Sequence, residues 1–399
     1  MSENIFNPLV NSLFDTSKIL INSIAKVLGL NQYDFNVFFK KVGIKNKDGD
    51  YPIFYDLKYE ECFDVYEFKL PPGLSLSSIK NKHEEIAQFL KVEDENLRFE
   101  RRGSNVVIKI ITKIPDAVYN PSIHKMKGYK IPIGIELNTL KVRYWDLSDS
   151  GNSHCYIAGG TRCGKSTLLR LIMCQLVSKS IRDVNLDLLN EKRVDLIEFK
   201  DCKNVLNYTE DTEEAHDILK SVIKDMENRY KIFSKYKGVK NIWDYRSKIE
   251  KMPIRIVVVE ELSSYIDNKD FHKCMTNIAS RGAAAGVFLI ITTQLPNKDS
   301  LPNLTKQNIN TVFGGKCKDS IRSDIIVDEG ELHKLKGKGH MKVFDADDYG
   351  TEIQAFWIDD DMVEQIANKH IKFKIKQQNK RALDAATSKT LDDNKNFDE

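Results

Sequence analysis

The chain has 399 residues, a hydrophobic share of 41% and a formal net charge of +3 at pH 7. That length exceeds one ordinary domain and the apolar share suits a full-sized core, so two or three folded domains are expected. The charge is too near neutrality to announce a polyanion partner. No apolar run is long enough to span a bilayer, which reads as a cytoplasmic protein unless a partner recruits it to a membrane. The seven cysteines form an odd set without a C-x-x-C pair, so neither a disulfide framework nor a zinc site is indicated.

Residues 1–50 read as a helical N-terminal segment. Leu20, Ile21, Ile24, Val27 and Leu28 share one face of an amphipathic helix over Ile19–Leu30, and a second apolar run passes through Tyr33, Phe35, Val37, Phe38 and Phe39. The polar, turn-rich stretch from Gly43 to Asp50 reads as a linker. From 51 to 150 the pattern is that of a small α+β domain. Tyr66, Phe68 and Leu70 alternate with Glu67 and Lys69, and Ser77 is placed to cap a helix carrying Ile79, Ile86, Phe89 and Leu90. Leu97–Arg101 and Val106–Ile111 flank Arg102-Gly103-Ser104-Asn105, a hairpin signature.

From 151 to 360 strand-like apolar runs alternate with amphipathic helices, the pattern of an α/β domain with a mainly parallel sheet. His154–Ala158 reads as a short buried strand, and Leu168, Leu169, Ile172, Met173 and Leu176 mark a helix soon after it. Between them lies Gly159-Gly160-Thr161-Arg162-Cys163-Gly164-Lys165-Ser166-Thr167, which is G-x-x-x-x-G-K-[ST]. Strand, glycine loop and helix in that order make an anion hole, because backbone N–H groups and the positive end of the helix dipole converge there. In that arrangement Lys165 reaches the β- and γ-phosphates and the Ser166 hydroxyl ligates Mg²⁺. The chain therefore reads as a nucleotide-binding protein. Val184–Leu189 is a further strand, Thr212–Lys235 a long charged helix, and Ile254–Val259 and Val287–Thr293 are central strands covered on both faces.

Hydrolysis needs acids at the same sheet edge, and Glu260-Glu261 follow the strand Ile254–Val259 directly. Glu260 is placed to hold the metal and Glu261 to orient and deprotonate the attacking water. Gln294 ends the next central strand, where its amide would sense the γ-phosphate. Residues 361–399 read as a charged, disordered tail, basic through Lys372, Lys374, Lys376, Lys380 and Arg381 and acidic at its end.

These pieces together resemble the FtsK/SpoIIIE group of hexameric DNA-pumping ATPases, including relatives carried by conjugative plasmids and transposons. The likeness runs from about Asp64 to Phe344. It includes Ile131-Pro132-Ile133-Gly134, the span from His154 to Ser166, and Asn190-Glu191-Lys192 where the family has Asp-Pro-Lys. Met226-Glu227-Asn228-Arg229-Tyr230, Val257–Leu262, Thr292-Thr293-Gln294-Leu295-Pro296 and Gly337-Lys338-Gly339-His340-Met341 follow in the family's order. The resemblance implies a RecA-like P-loop motor that assembles as a homo-hexamer, binds ATP and Mg²⁺ between subunits and threads double-stranded DNA without regard to sequence. The α+β domain would form a second tier of that ring. Departures stand beside it. Glu260 replaces the family's first acid, Asp, and Ala283, Val312 and Asp324 stand where arginines are common, leaving Arg281 or Arg322 as substitutes for an arginine finger. A motor without a membrane block or winged-helix module fits plasmid or mobile-element transfer, with a relaxase, replication or membrane-channel protein as partner. A protein-secretion motor and a nucleotide-gated coupling adaptor are the alternatives.

Overall fold

The computed structural model describes residues 33–60, 62–113, 116–149, 151–294, 301–328, 331–346 and 349–372. The helix expected at Ile19–Leu30, Leu295, Pro296 and the tail beyond residue 372 lie outside them. The chain forms two compact units that meet in sequence at residues 115 and 116.

In the first unit, β1 (Ile53–Tyr59), β2 (Phe63–Lys69), β3 (Leu97–Arg102) and β4 (Asn105–Ile111) make an antiparallel sheet in the order β1-β2-β4-β3. The expected hairpin pairs Arg102 with Asn105, and Gly103 takes the positive φ of 64° that so tight a turn requires. Helix α1 (Phe35–Val42) is capped by the Asp34 side chain and stopped by left-handed Gly43. Its Phe35, Phe38 and Phe39 bury one stripe against Tyr66, Phe68, Val106 and Ile108. Residues 35–42 thus belong to this sheet's core and form no separate N-terminal segment. The helix expected behind Ser77 is two short pieces, α2 (Leu76–Lys80) and α3 (His83–Leu90), and Ser75 is the cap, through a capping box with Ser78.

The second unit is built on a ten-stranded sheet. Its strands are β5 (Lys130–Glu136), β6 (Val142–Asp146), β7 (Cys155–Ala158), β8 (Val184–Leu189), β9 (Val205–Thr209), β10 (Ile254–Val259), β11 (Val287–Thr293), β12 (Thr311–Gly315), β13 (His340–Phe344) and β14 (Tyr349–Ala355). They stand in the order β6-β5-β14-β13-β12-β7-β11-β10-β8-β9. The stretch from β12 to β9 is parallel throughout, and the remainder is antiparallel. The boundary expected at residue 150 is therefore displaced. β5 and β6, read with the α+β domain, complete the edge of this sheet because β5 pairs with β14, more than 200 residues later in the chain.

Helices cover both faces. Alternate residues of β10 divide accordingly: Ile256 and Val258 face α4 (Lys165–Val177), α6 (Ile242–Lys248) and α10 (Asp360–Lys369), while Val257 and Val259 face α5 (Thr212–Phe233), α7 (Lys269–Ala285) and α9 (Ser320–Val327). A short α8 (Asn303–Gln307) precedes β12. The chain leaves β7 toward β8 on one side and returns to β12 on the other, so β7 lies where the winding direction reverses. In open parallel sheets that point, at the carboxyl ends of the strands, is where ligands bind. Among the described residues no helix is long and apolar enough to cross a membrane.

Candidate nucleotide site

The glycine loop joins β7 to α4, and its shape depends on two of its glycines. Gly159 has φ 152°, and a Cβ there would lie 2.9 Å from the Cys163 sulfur and from the Gly315 carbonyl oxygen. Gly164 has φ 105°, and its Cβ would lie 2.7 Å from the Gly339 nitrogen. Neither site admits a side chain without moving backbone. The loop is braced from outside: the Gly160 N–H donates to the Lys316 carbonyl at 2.8 Å, and the Gly339 N–H donates to the Cys163 carbonyl at 2.8 Å. No side chain caps the first turn of α4. Its N–H groups face the loop, as an anion site at a helix N-terminus requires.

Lys165 folds back over the loop, donating to the Gly159 carbonyl at 2.7 Å and the Gly160 carbonyl at 3.0 Å. Burial lowers its pKa from the usual lysine value. Next to it, the Ser166 hydroxyl donates to Asp195 Oδ2 at 2.6 Å.

Two strands away, β10 delivers the glutamates to the same cleft. Lys165, Ser166, Asp195, Glu260, Glu261 and Gln294 all line it. Strand order explains the convergence: β11 lies between β7 and β10, so all three carboxyl ends reach one edge. The two acids differ sharply. Glu260 is 2% exposed, and its Oε2 has no hydrogen-bond partner among the described residues. Burial, then repulsion by Asp195, pushes its pKa up to about 7, against the opposing pull of Lys192. Glu261 adopts a left-handed backbone with φ 57°, which turns its side chain toward the end of β11. There its carboxylate accepts from the Ser263 hydroxyl at 2.5 Å, the Thr293 hydroxyl at 2.9 Å and the Gln294 N–H at 3.1 Å. Its own N–H donates to the Thr292 hydroxyl at 3.1 Å, and Lys192 Nζ stands 4.0 Å from its Oε2.

The arginines considered for a finger are both in local pairs. Arg281 lies in the last turn of α7, next to the amino end of β11 and so at the opposite end of the sheet from the loop. It pairs with Glu227 at 2.7 Å and lies over the Tyr230 ring. Arg322 pairs with Asp319 at 2.6 Å. Sequence reasoning missed Asp195, Ser263, Thr292 and Thr293 as members of the site and gave Lys192 no role. The available signal was positional, since each follows or ends a strand whose carboxyl end abuts β7 or β10. The Ser166 hydroxyl, Asp195 and the orphaned Glu260 oxygen are hard donors on one side of the cleft, a set that suits a small divalent cation.

Phosphate loop, strand-end acids and a doubly covered parallel sheet define the class as a P-loop nucleotide-binding fold. Residues 124–307 match the FtsK/SpoIIIE family model. The chain is 27% identical over 326 residues to the DNA translocase FtsK of Streptococcus pneumoniae, covering 76% of this chain and 42% of the relative. It is 26% identical over 328 residues to the DNA translocase FtsK of Lactococcus lactis subsp. cremoris, covering 75% and 42%. The chain thus spans about two fifths of the length of these relatives. Among solved structures, the pCW3 conjugation coupling protein TcpA, in a monomer form with ATPγS, superposes with a TM-score of 0.58 at 21% identity, over 83% of this chain and 97% of that one. The cytoplasmic domain of the type VII secretion ATPase EccC of Thermomonospora curvata gives 0.55 at 17% identity, over 65% and 33%. Residues 124–307 of this chain are thus similar to the FtsK/SpoIIIE family.

Proposed function

We propose that this protein hydrolyses ATP with Mg²⁺ and uses the energy to move double-stranded DNA, in the transfer of a plasmid or other mobile element. The observation that carries the reading is one cleft lined by both the phosphate loop and two strand-end glutamates. Gly159 to Thr167 would cradle the phosphates, with Lys165 exchanging the loop carbonyls for phosphate oxygens. Ser166 and Glu260 would hold the metal, which neutralises charge on the β- and γ-phosphates. Glu261 would act as the base and Gln294 would report the γ-phosphate. DNA as substrate is supported by relatives named as DNA translocases, and mobile-element transfer by the likeness of fold to a conjugation coupling protein along nearly its whole length. On this reading the protein works in the cytoplasm as a homo-hexamer and meets a relaxase, replication or channel protein at the membrane.

The test is ATP turnover measured with duplex, single-stranded and no DNA across a salt series. A motor that grips phosphates should be stimulated by duplex of any sequence, and the stimulation should fall steeply with salt as counterion release weakens. Turnover indifferent to DNA at every salt concentration would remove DNA as substrate and favour a secretion motor.

A further inference from the structure

Asp195 is the one acid lining the cleft that the proposed division of labour leaves without a task. It sits in the loop after β8, which is held in place at several points. Leu196 is buried in the core beside it, the Arg193 N–H donates to the Asn190 carbonyl at 3.0 Å, and Glu198 pairs at 3.0 Å with Arg170 of α4. So anchored, Asp195 Oδ2 accepts a hydrogen bond from the Ser166 hydroxyl at 2.6 Å. Where the first strand-end acid is an Asp, P-loop Ser or Thr and that Asp hold the magnesium together. Here that position is Glu260, one methylene longer, while the loop after the neighbouring strand contributes the shorter acid.

We propose that Asp195 is a positioning residue of the metal site: it fixes the Ser166 hydroxyl with its proton turned away, so that an oxygen lone pair faces the cation, and adds a second negative charge beside Glu260. The proton stays on Ser166 throughout. A Mg²⁺ ion is held by one or two carboxylates with phosphate oxygens and water; here Glu260 and the Ser166 hydroxyl are the protein ligands, and Asp195 acts through Ser166. Hydrogen-bond partners of first ligands of this kind are worth about 10- to 100-fold in metal affinity. The inference rests on the nucleotide-site reading above.

The experiment compares wild type, Asp195→Ala and Asp195→Asn for two quantities. One is ADP affinity in EDTA; the other is Mn²⁺ affinity of the ADP complex, read by electron paramagnetic resonance. Asp195→Ala should bind ADP in EDTA as wild type does and bind Mn²⁺ at least about tenfold more weakly. Asp195→Asn, whose amide oxygen still accepts from Ser166, should recover part of that loss. Unchanged Mn²⁺ affinity in Asp195→Ala overturns the inference, as does an Asp195→Asn protein no better than Asp195→Ala. Loss of ADP binding in EDTA also overturns it, because Asp195 would then be holding the loop and not the metal. A wild-type protein that binds no ADP at all sinks the nucleotide-site reading itself.

Discussion

Glu260 and Glu261 are chain neighbours in opposite electrostatic conditions. The first is buried with an oxygen that no group among the described residues satisfies, an arrangement that costs stability unless a cation joins it. The second is held by three donors, yet among the described residues its Oε2 is touched only by the Gln294 N–H that it shares with Oε1 and by the more distant Lys192. A carboxylate has about four acceptor sites, so Glu261 is oriented and still able to take a water. Glu261→Gln should therefore keep nucleotide affinity and lower single-turnover hydrolysis by about 100- to 10,000-fold, the usual worth of a general base. A variant hydrolysing within tenfold of wild type would remove Glu261 from that role.

At the scale of the element, β7 is only four residues long, yet it carries the loop that the site depends on. It is fixed partly by the residue before it. His154 is buried, and its Nδ1 accepts from the Leu289 N–H of β11 at 3.0 Å. That bond needs the neutral ring. Burial lowers the His154 pKa to about 4, against 6.5 for a free histidine. A base with a depressed folded pKa binds protons more readily when unfolded, so its stabilising effect is complete above pH 6.5 and is lost as pH falls toward 4. Denaturant titrations between pH 7 and 4 should show wild type losing up to about 3 kcal/mol more than His154→Asn, which keeps a polar group but cannot titrate. Parallel curves for the two proteins would place the acid sensitivity elsewhere.

At the scale of the molecule, the two units have separate cores. The buried apolar cluster of the first runs from Phe35 to Ile110, and both clusters of the second begin at or beyond Ala117. A fragment of residues 116–399 should consequently fold and bind ADP with an affinity within about threefold of the full chain, since distant and independent sites behave additively. A fragment cut at 151, by contrast, loses β5 and β6 and exposes the edge of β14; it should aggregate or unfold at a lower temperature. Calorimetry of both fragments distinguishes these outcomes.

The parts legible in the sequence are those governed by neighbours in the chain. The glycine loop follows from the conformations that only glycine accepts, and the hairpin at Gly103-Ser104 from the φ it demands. The central strands announce themselves because burial on both faces leaves no polar alternation, and Glu260 and Glu261 are found because they end one. Strand order is set by hydrogen bonds between segments as much as 200 residues apart and more, and no local period records it. For that reason the sequence alone placed β5 and β6 with the wrong domain; its reading of Ser77 missed the cap two residues earlier, where Ser75 and Ser78 close a capping box. Asp195 was invisible for the same cause: nothing in Val194-Asp195-Leu196 marks an active residue until β8 pairs with β10 and lays its following loop against Ser166. The sequence by itself determined the loop and the acids that could do the chemistry; tertiary pairing decided which further side chains stand within reach of them.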